Sequence, residues 1–203
     1  MDPLDIRRTR PAESNAQQPL RESGSQTAGP YVHIGCFPNM VGVEGIYPED
    51  LASNIEAKGG QAIQIAGQVF EGDRIACRDA MLEIWQADHQ GDYASGIWRR
   101  SMTDLETGEF LFQAIKPGAV ADQNGKLLAP SIMIWIVARG INIGLLTRLY
   151  FPEDERLQAE DPHLALVPIE RRKTLIATAT GDAGGYRFDI HLQGEAETVF
   201  FDI

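Results

Sequence analysis

The sequence is poor in the residues that bind metals or form disulfides. Of its 203 residues only two are cysteines and four are histidines, and the closest two histidines, His163 and His191, are 28 residues apart. Compact metal-binding motifs are therefore excluded. Cys36 and Cys77 match neither a CxxC pair nor a zinc spacing, so we expect two reduced thiols in a cytoplasmic protein.

Positive charge and long apolar runs are also scarce. The chain holds 18 Lys and Arg against 29 Asp and Glu, a net charge of −11. This balance argues against a nucleic-acid partner or an anionic membrane surface. The longest apolar run is far too short to span a bilayer, and residues 1–24 lack the apolar segment of a signal peptide. We therefore expect a cytoplasmic protein with no membrane and no nucleic acid as partner.

Residues 1–24 are polar and contain three prolines, a composition that does not fold by itself. We expect an extended arm that docks on a partner chain. With 43% hydrophobic residues, the chain can bury a core, and residues 25–203 are predicted to form a single domain.

The most apolar stretch runs from Ile132 to Ala138. Four of its seven residues are β-branched, and Pro130 and Gly140 bound it. A short, unbroken apolar run of this kind predicts a strand covered on both faces, since a helix would show a polar stripe.

Several other segments alternate like strands and are separated by turn signals. They are Ala62–Phe70, Ala80–Ala87, Phe110–Ile115, Asn142–Phe151, Thr174–Ala179 and Tyr186–Gln193. A short strand is also predicted at Tyr31–Ile34, and helical turns are predicted near Pro48–Glu56 and Pro168–Lys173. The pattern predicts an all-β protein, a β-sandwich of mixed or antiparallel strands with long loops and only short helical segments.

Two features could bind a ligand. Arg139 ends the most apolar strand, where it could hold a carboxylate by two parallel hydrogen bonds or form a structural ion pair with an acidic residue. The Gly29-Pro30 loop could bring its backbone close to a ligand or partner, or could simply be a turn. The sequence contains no nucleophile elbow, P-loop or dinucleotide fingerprint. The residues alone leave both alternatives open.

Several segments together resemble the intradiol ring-cleavage dioxygenases, in the order of that family. They are Ser25–Tyr31, Leu82–Tyr93, Ile115–Gly118, Ala129-Pro130, Thr147–Phe151, Tyr186–Gly194 and Gly194–Asp202. In that family the active chain binds non-haem Fe(III) through two tyrosines and two histidines.

The resemblance implies that most of this ligand set is missing here. Tyr93 matches the first tyrosine, but Val120 stands at the second, Ile132 and Ile134 stand at the two histidines, and Ala129 replaces an arginine near them. We therefore expect this chain to bind no metal and to contribute no catalytic residue, because a hydrocarbon side chain has no lone pair.

The resemblance further implies a two-chain enzyme, in which an α chain like this one pairs with an iron-bearing β subunit. Further αβ pairs would build a larger oligomer. The complex would cleave protocatechuate (3,4-dihydroxybenzoate) with O₂ to give 3-carboxy-cis,cis-muconate. This chain would complete the substrate pocket with Arg139 and with the loop residues Thr27, Gly29, Pro30 and Tyr31. The alternative is a stand-alone β-sandwich binding module without catalytic activity.

Overall fold

A computed structural model describes residues 26–29, 31–47, 51–52 and 59–202 of the chain. The predicted arm at residues 1–24, Pro30, and most of the predicted helical turn at Pro48–Glu56 lie outside the described residues.

Within these described residues, nine strands form two sheets. They are β1 (Ala62–Phe70), β2 (Met81–Gln86), β3 (Ile97–Met102), β4 (Glu109–Ile115), β5 (Ser131–Val137), β6 (Leu145–Tyr150), β7 (Thr178–Ala179), β8 (Gly185–Arg187) and β9 (Ile190–His191). The α-helices are α1 (Val32–Cys36), α2 (Glu155–Gln158) and α3 (Pro162–Ala165), and 3-10 turns cover Pro38–Val41, Gly72–Arg74, Pro152–Asp154 and Arg172–Leu175. The predicted all-β fold with only short helices is confirmed. Within the described residues, no helix has the length and apolar character needed to cross a membrane.

The sheets differ in topology. One has the order β3-β2-β5-β6 and is antiparallel throughout. The other has the order β4-β1-β8-β7, and its central β1 pairs antiparallel with β4 but parallel with β8 and β9. The prediction of mixed and antiparallel strands is therefore confirmed.

The core lies between the two sheets. Ile132, Ile134 and Ile136 on the inner face of β5 are fully buried, in one cluster with Ile65 of β1 and Phe112 of β4. Alternate residues of each strand supply this layer, as the period of two in the sequence predicts. The thiol of Cys77 lies in the same cluster, where burial raises its pKa to about 11, and Cys36 is also free.

The prediction that β5 is covered on both faces is wrong for the described residues. Its outer face carries Trp135, which is 38% exposed. The neighbouring strand β2 carries Trp85, which lies opposite Trp98 of β3. These are all three tryptophans of the chain. An antiparallel sheet needs burial on only one side, so a continuous apolar run does not require two covered faces.

Three other strand predictions need correction. Tyr31–Ile34 is not a strand, because the N–H groups of Ile34 and Gly35 donate to the Tyr31 carbonyl and begin α1. The predicted strand Tyr186–Gln193 is interrupted between β8 and β9, where the Asp189 carboxylate instead accepts the Gln68 N–H at 3.0 Å. The predicted strand at 174–179 shrinks to the two residues of β7.

Gly67 of β1 lies against the backbone that joins β8 to β9 and against the Phe110 ring of β4. A β-carbon at this position would lie 1.9 Å from the Phe188 carbonyl oxygen and 2.5 Å from the Phe110 ring. Because one neighbour is backbone and the other is a buried ring, neither can move away cheaply.

We predict that Gly67→Ala lowers the free energy of unfolding by about 1–3 kcal/mol, as expected for an overpacked site. Urea denaturation measures the change. Gly181→Ala is the matched control, since no described atom lies within 4 Å of where its β-carbon would be. Equal stability of the two variants would contradict the packing described here.

Candidate functional site

The two ligand-binding features predicted from the sequence meet at the end of β5. The Thr27 hydroxyl accepts the N–H of Gly140 at 2.8 Å, although the two residues are 113 positions apart. The same hydroxyl lies 3.4 Å from the Ala138 carbonyl oxygen, to which it can donate. Thr27 therefore holds the backbone on both sides of Arg139.

Arg139 projects from this corner, and its side chain is 59% exposed. Its Nε donates to the carboxylate of Asp79, which is itself only 13% exposed. The acidic partner that the sequence left unspecified is thus Asp79. Among the described residues the guanidinium makes no other hydrogen bond or ion pair, so its two terminal nitrogens have no described partner.

The loop beside Arg139 is open as well. Gly29 is exposed, and no described atom lies within 4 Å of where its β-carbon would be. Tyr31 is 74% exposed, an unusual degree for an aromatic side chain. These residues follow Thr27, whose hydroxyl binds the backbone next to Arg139, so the loop and the arginine place a cationic group, an aromatic ring and exposed backbone on adjoining segments. We call this region the Arg139 corner (Thr27–Gly29, Tyr31 and Arg139).

The positions matched to the two histidine ligands are filled with hydrocarbon. Ile132 and Ile134 have no exposed surface and pair across the sheet with Leu149 and Ile84, respectively. All four side chains belong to the main apolar core.

The positions matched to the two tyrosine ligands lie on loops that touch. Gly118 donates its N–H to the Asp88 carbonyl at 2.8 Å, which joins the loop before Val120 to the turn before Tyr93. The Asp88 carboxylate accepts hydrogen bonds from backbone N–H groups of this turn, of which that from Asp92 has the largest effect. These bonds hold the pKa of the Asp88 carboxyl below its usual value and stabilise the turn. The Tyr93 ring stacks on Trp85 with ring centroids 6.2 Å apart.

These residues do not fit a ferric ion. Of the four matched positions, only Tyr93 has a side-chain oxygen, whereas the side chains of Val120, Ile132 and Ile134 have no donor atom. Within the part of the chain that the structure describes, no three His, Cys, Asp or Glu residues lie close enough together to hold a metal. Non-haem iron needs several nitrogen or oxygen ligands at once. A single phenolate does not meet that requirement.

Asp161 supports the start of β5 and was missed by sequence reasoning. Its carboxylate is buried and accepts the N–H of Ala129 at 3.1 Å, while it also caps α3 by accepting two N–H groups of that helix. The Tyr150 hydroxyl lies 3.4 Å away, and burial raises the pKa of Tyr150 above its usual value. The Asp161-Pro162 pair, a capping residue followed by proline in the first helical position, was a readable signal for the cap.

Comparison with known proteins gives consistent results. A family model described as "Dioxygenase" matches residues 45–194. The chain is 41% identical to the protocatechuate 3,4-dioxygenase alpha chain of Pseudomonas putida over 196 residues, covering 90% of this chain and 97% of the relative. It is also 32% identical to the beta chain of that enzyme from Burkholderia cepacia, covering 80% of this chain and 79% of the relative.

Solved structures show the same fold at lower identity. The dioxygenase domain of a carbohydrate-binding fusion from Streptomyces sp. SirexAA-E aligns with a TM-score of 0.57 at 23% identity, covering 77% of this chain and 96% of that one. Catechol 1,2-dioxygenase from Acinetobacter radioresistens aligns with a TM-score of 0.58 at 18% identity, covering 71% of this chain and 57% of that one.

We predict that the double variant Ile132→His/Ile134→His gains no iron while Val120 remains. It should instead lose stability, about 1–3 kcal/mol per buried imidazole, because each new polar group lies in an apolar core without a partner. Metal analysis and urea denaturation measure the two effects. Met133→His, on the half-buried outer face of the same strand, is the control and should cost less. Stoichiometric iron in the double variant would contradict the conclusion that missing donor atoms prevent this chain from binding iron.

Proposed function

The chain belongs to the intradiol dioxygenase family, and on that premise we propose that it is the non-catalytic α subunit of an αβ hetero-oligomeric protocatechuate 3,4-dioxygenase. The complex cleaves the ring of 3,4-dihydroxybenzoate with O₂, between the two hydroxylated carbons, and gives 3-carboxy-cis,cis-muconate. Its partner is an iron-bearing β subunit, and further αβ pairs complete the oligomer.

The observation that carries this proposal is the 41% identity to an alpha chain over 97% of that chain's length. The similarity therefore extends to both ends of the relative. The chain is also related to a beta chain, so the proposed partner has the same fold. A pair of related chains can associate through matching faces, as in a symmetric dimer.

The non-catalytic role rests on the donor set. Hydrocarbon fills three of the four matched ligand positions, so in this proposal the Fe(III) belongs to the β subunit and this chain carries no cofactor. The two free thiols, Cys36 and Cys77, support a reducing, cytoplasmic location for the complex.

The Arg139 corner is this chain's contribution to the pocket. The substrate is an anion, and a guanidinium with free N–H groups can hold its carboxylate by charge-assisted hydrogen bonds. The Thr27–Tyr31 loop closes the pocket at the subunit interface and keeps bulk water away from the ring. A charge–charge contact is stronger where water is excluded, so the two features act together.

We predict that the chain expressed alone contains no stoichiometric iron, lacks the red colour of ferric tyrosinate and turns over no 3,4-dihydroxybenzoate. Co-expressed with its β chain, it should elute as an equimolar assembly with one iron per pair. Size-exclusion chromatography, metal analysis and O₂ uptake measure these properties. Iron and activity in the lone chain would refute the non-catalytic role. A chain that does not co-elute with the β chain would favour a stand-alone binding module.

We predict that Arg139→Ala in the assembled enzyme lowers kcat/KM for 3,4-dihydroxybenzoate by roughly 10- to 100-fold, because a hydrogen bond to a charged group contributes about 1.5–3 kcal/mol. Arg187→Ala is the control, since Arg187 also pairs with a carboxylate through Nε but lies on β8, in the opposite sheet. Unchanged kinetics in an intact assembly would leave Arg139 with a structural role alone.

A further inference from the structure

We propose that Asp79 is a positioning residue for substrate binding. It holds the Arg139 guanidinium through Nε, so that the two terminal nitrogens face the pocket and receive the substrate carboxylate. This inference rests on the proposed function, because it assigns Asp79 a part in the same pocket.

The pairing follows from the antiparallel arrangement of β2 and β5. Met81, the first residue of β2, lies opposite Val137, the last residue of β5. Asp79 lies in the turn two residues before β2, and Arg139 lies in the turn two residues after β5. The two turns therefore meet at the same end of the strand pair, where the ion pair joins them.

Asp79 is the rigid member of the pair. Cys77 and Ala80 lie on either side of it in the chain, and each has an exposed fraction of 1% or less. The Ala80 N–H donates to the Thr103 hydroxyl at 2.9 Å, and the Cys77 N–H donates to the Val69 carbonyl at 2.8 Å. The Asp79 carboxylate therefore occupies a fixed place, whereas the long Arg139 side chain is mostly exposed and would otherwise sample many rotamers.

The geometry of guanidinium makes this arrangement productive. The group has five N–H donors in one plane, and Asp79 uses the Nε side. The two terminal nitrogens remain available for a second carboxylate. A simple positive charge would not need such alignment, but bidentate binding of a planar carboxylate does.

Asp79 also has an opposing effect that makes the inference testable. Its negative charge offsets part of the positive charge of Arg139 and so weakens the attraction between the arginine and an anionic substrate. If orientation dominates, removing the Asp79 charge weakens substrate binding; if repulsion dominates, the same change strengthens it. Because Thr27 already fixes the backbone around Arg139, the effect of Asp79 is confined to the side chain.

The experiment uses the assembled αβ enzyme with Asp79→Asn, Arg139→Ala and the double variant. We expect Asp79→Asn to raise KM for 3,4-dihydroxybenzoate by about three- to tenfold, with kcat changed less than about twofold. In the Arg139→Ala background, Asp79→Asn should have no further effect on KM, because it acts only through the arginine. Asp79→Glu keeps the charge and should give an intermediate KM.

Asp189→Asn is the matched control, since Asp189 accepts a hydrogen bond from the Nε of Arg187 in the other sheet at 2.7 Å. Its KM should equal that of the wild type. A KM that is unchanged or lower in Asp79→Asn, while Arg139→Ala raises it, would overturn the role of Asp79 and leave that of Arg139 intact. An unchanged KM in Arg139→Ala would overturn the proposed function of the corner itself. Should Asp79→Asn fail to assemble, Asp79→Glu decides, and a wild-type KM in that variant overturns the inference.

Discussion

The row of isoleucines on the inner face of β5 is the constraint on which the rest of the structure depends. Ile132, Ile134 and Ile136 are fully buried between the sheets, and each contributes about 1.5–3 kcal/mol by leaving water. Ile132 and Ile134, which help to join the two sheets, also occupy two of the matched ligand positions, and their side chains have no donor atom for a metal. Packing and the lack of iron ligands are therefore one property of the strand.

The corner at the end of β5 depends on that rigid core. The strand leaves the core at Ala138, which is fully buried, and the next residue, Arg139, is more than half exposed. Thr27 fixes the backbone on either side, and Asp79 fixes the guanidinium. A flexible cationic side chain is thus held by groups on two other segments of the chain, as a binding residue supported by a stiff scaffold should be.

Local patterns were enough to predict the sandwich but not its cross-strand contacts. The alternation in β1 records its one buried face, and the short β-branched run of β5 is typical of a strand, so both strands were predicted within a residue or two. β3 was not predicted, because Arg99 and Arg100 are adjacent and interrupt the alternation. The Asp79–Arg139 pair depends on the register between β2 and β5, and the Thr27–Gly140 bond joins distant segments, so neither has a local signature.

The tryptophans on the outer face of the antiparallel sheet have a practical consequence. Trp85, Trp98 and Trp135 are between 36% and 39% exposed and are the chain's entire set of indoles. Emission excited at the red edge of protein absorbance comes from this one surface alone, while the opposite sheet stays optically silent. The wavelength of that emission and its quenching by iodide or acrylamide thus give a label-free signal of whatever comes to cover the surface.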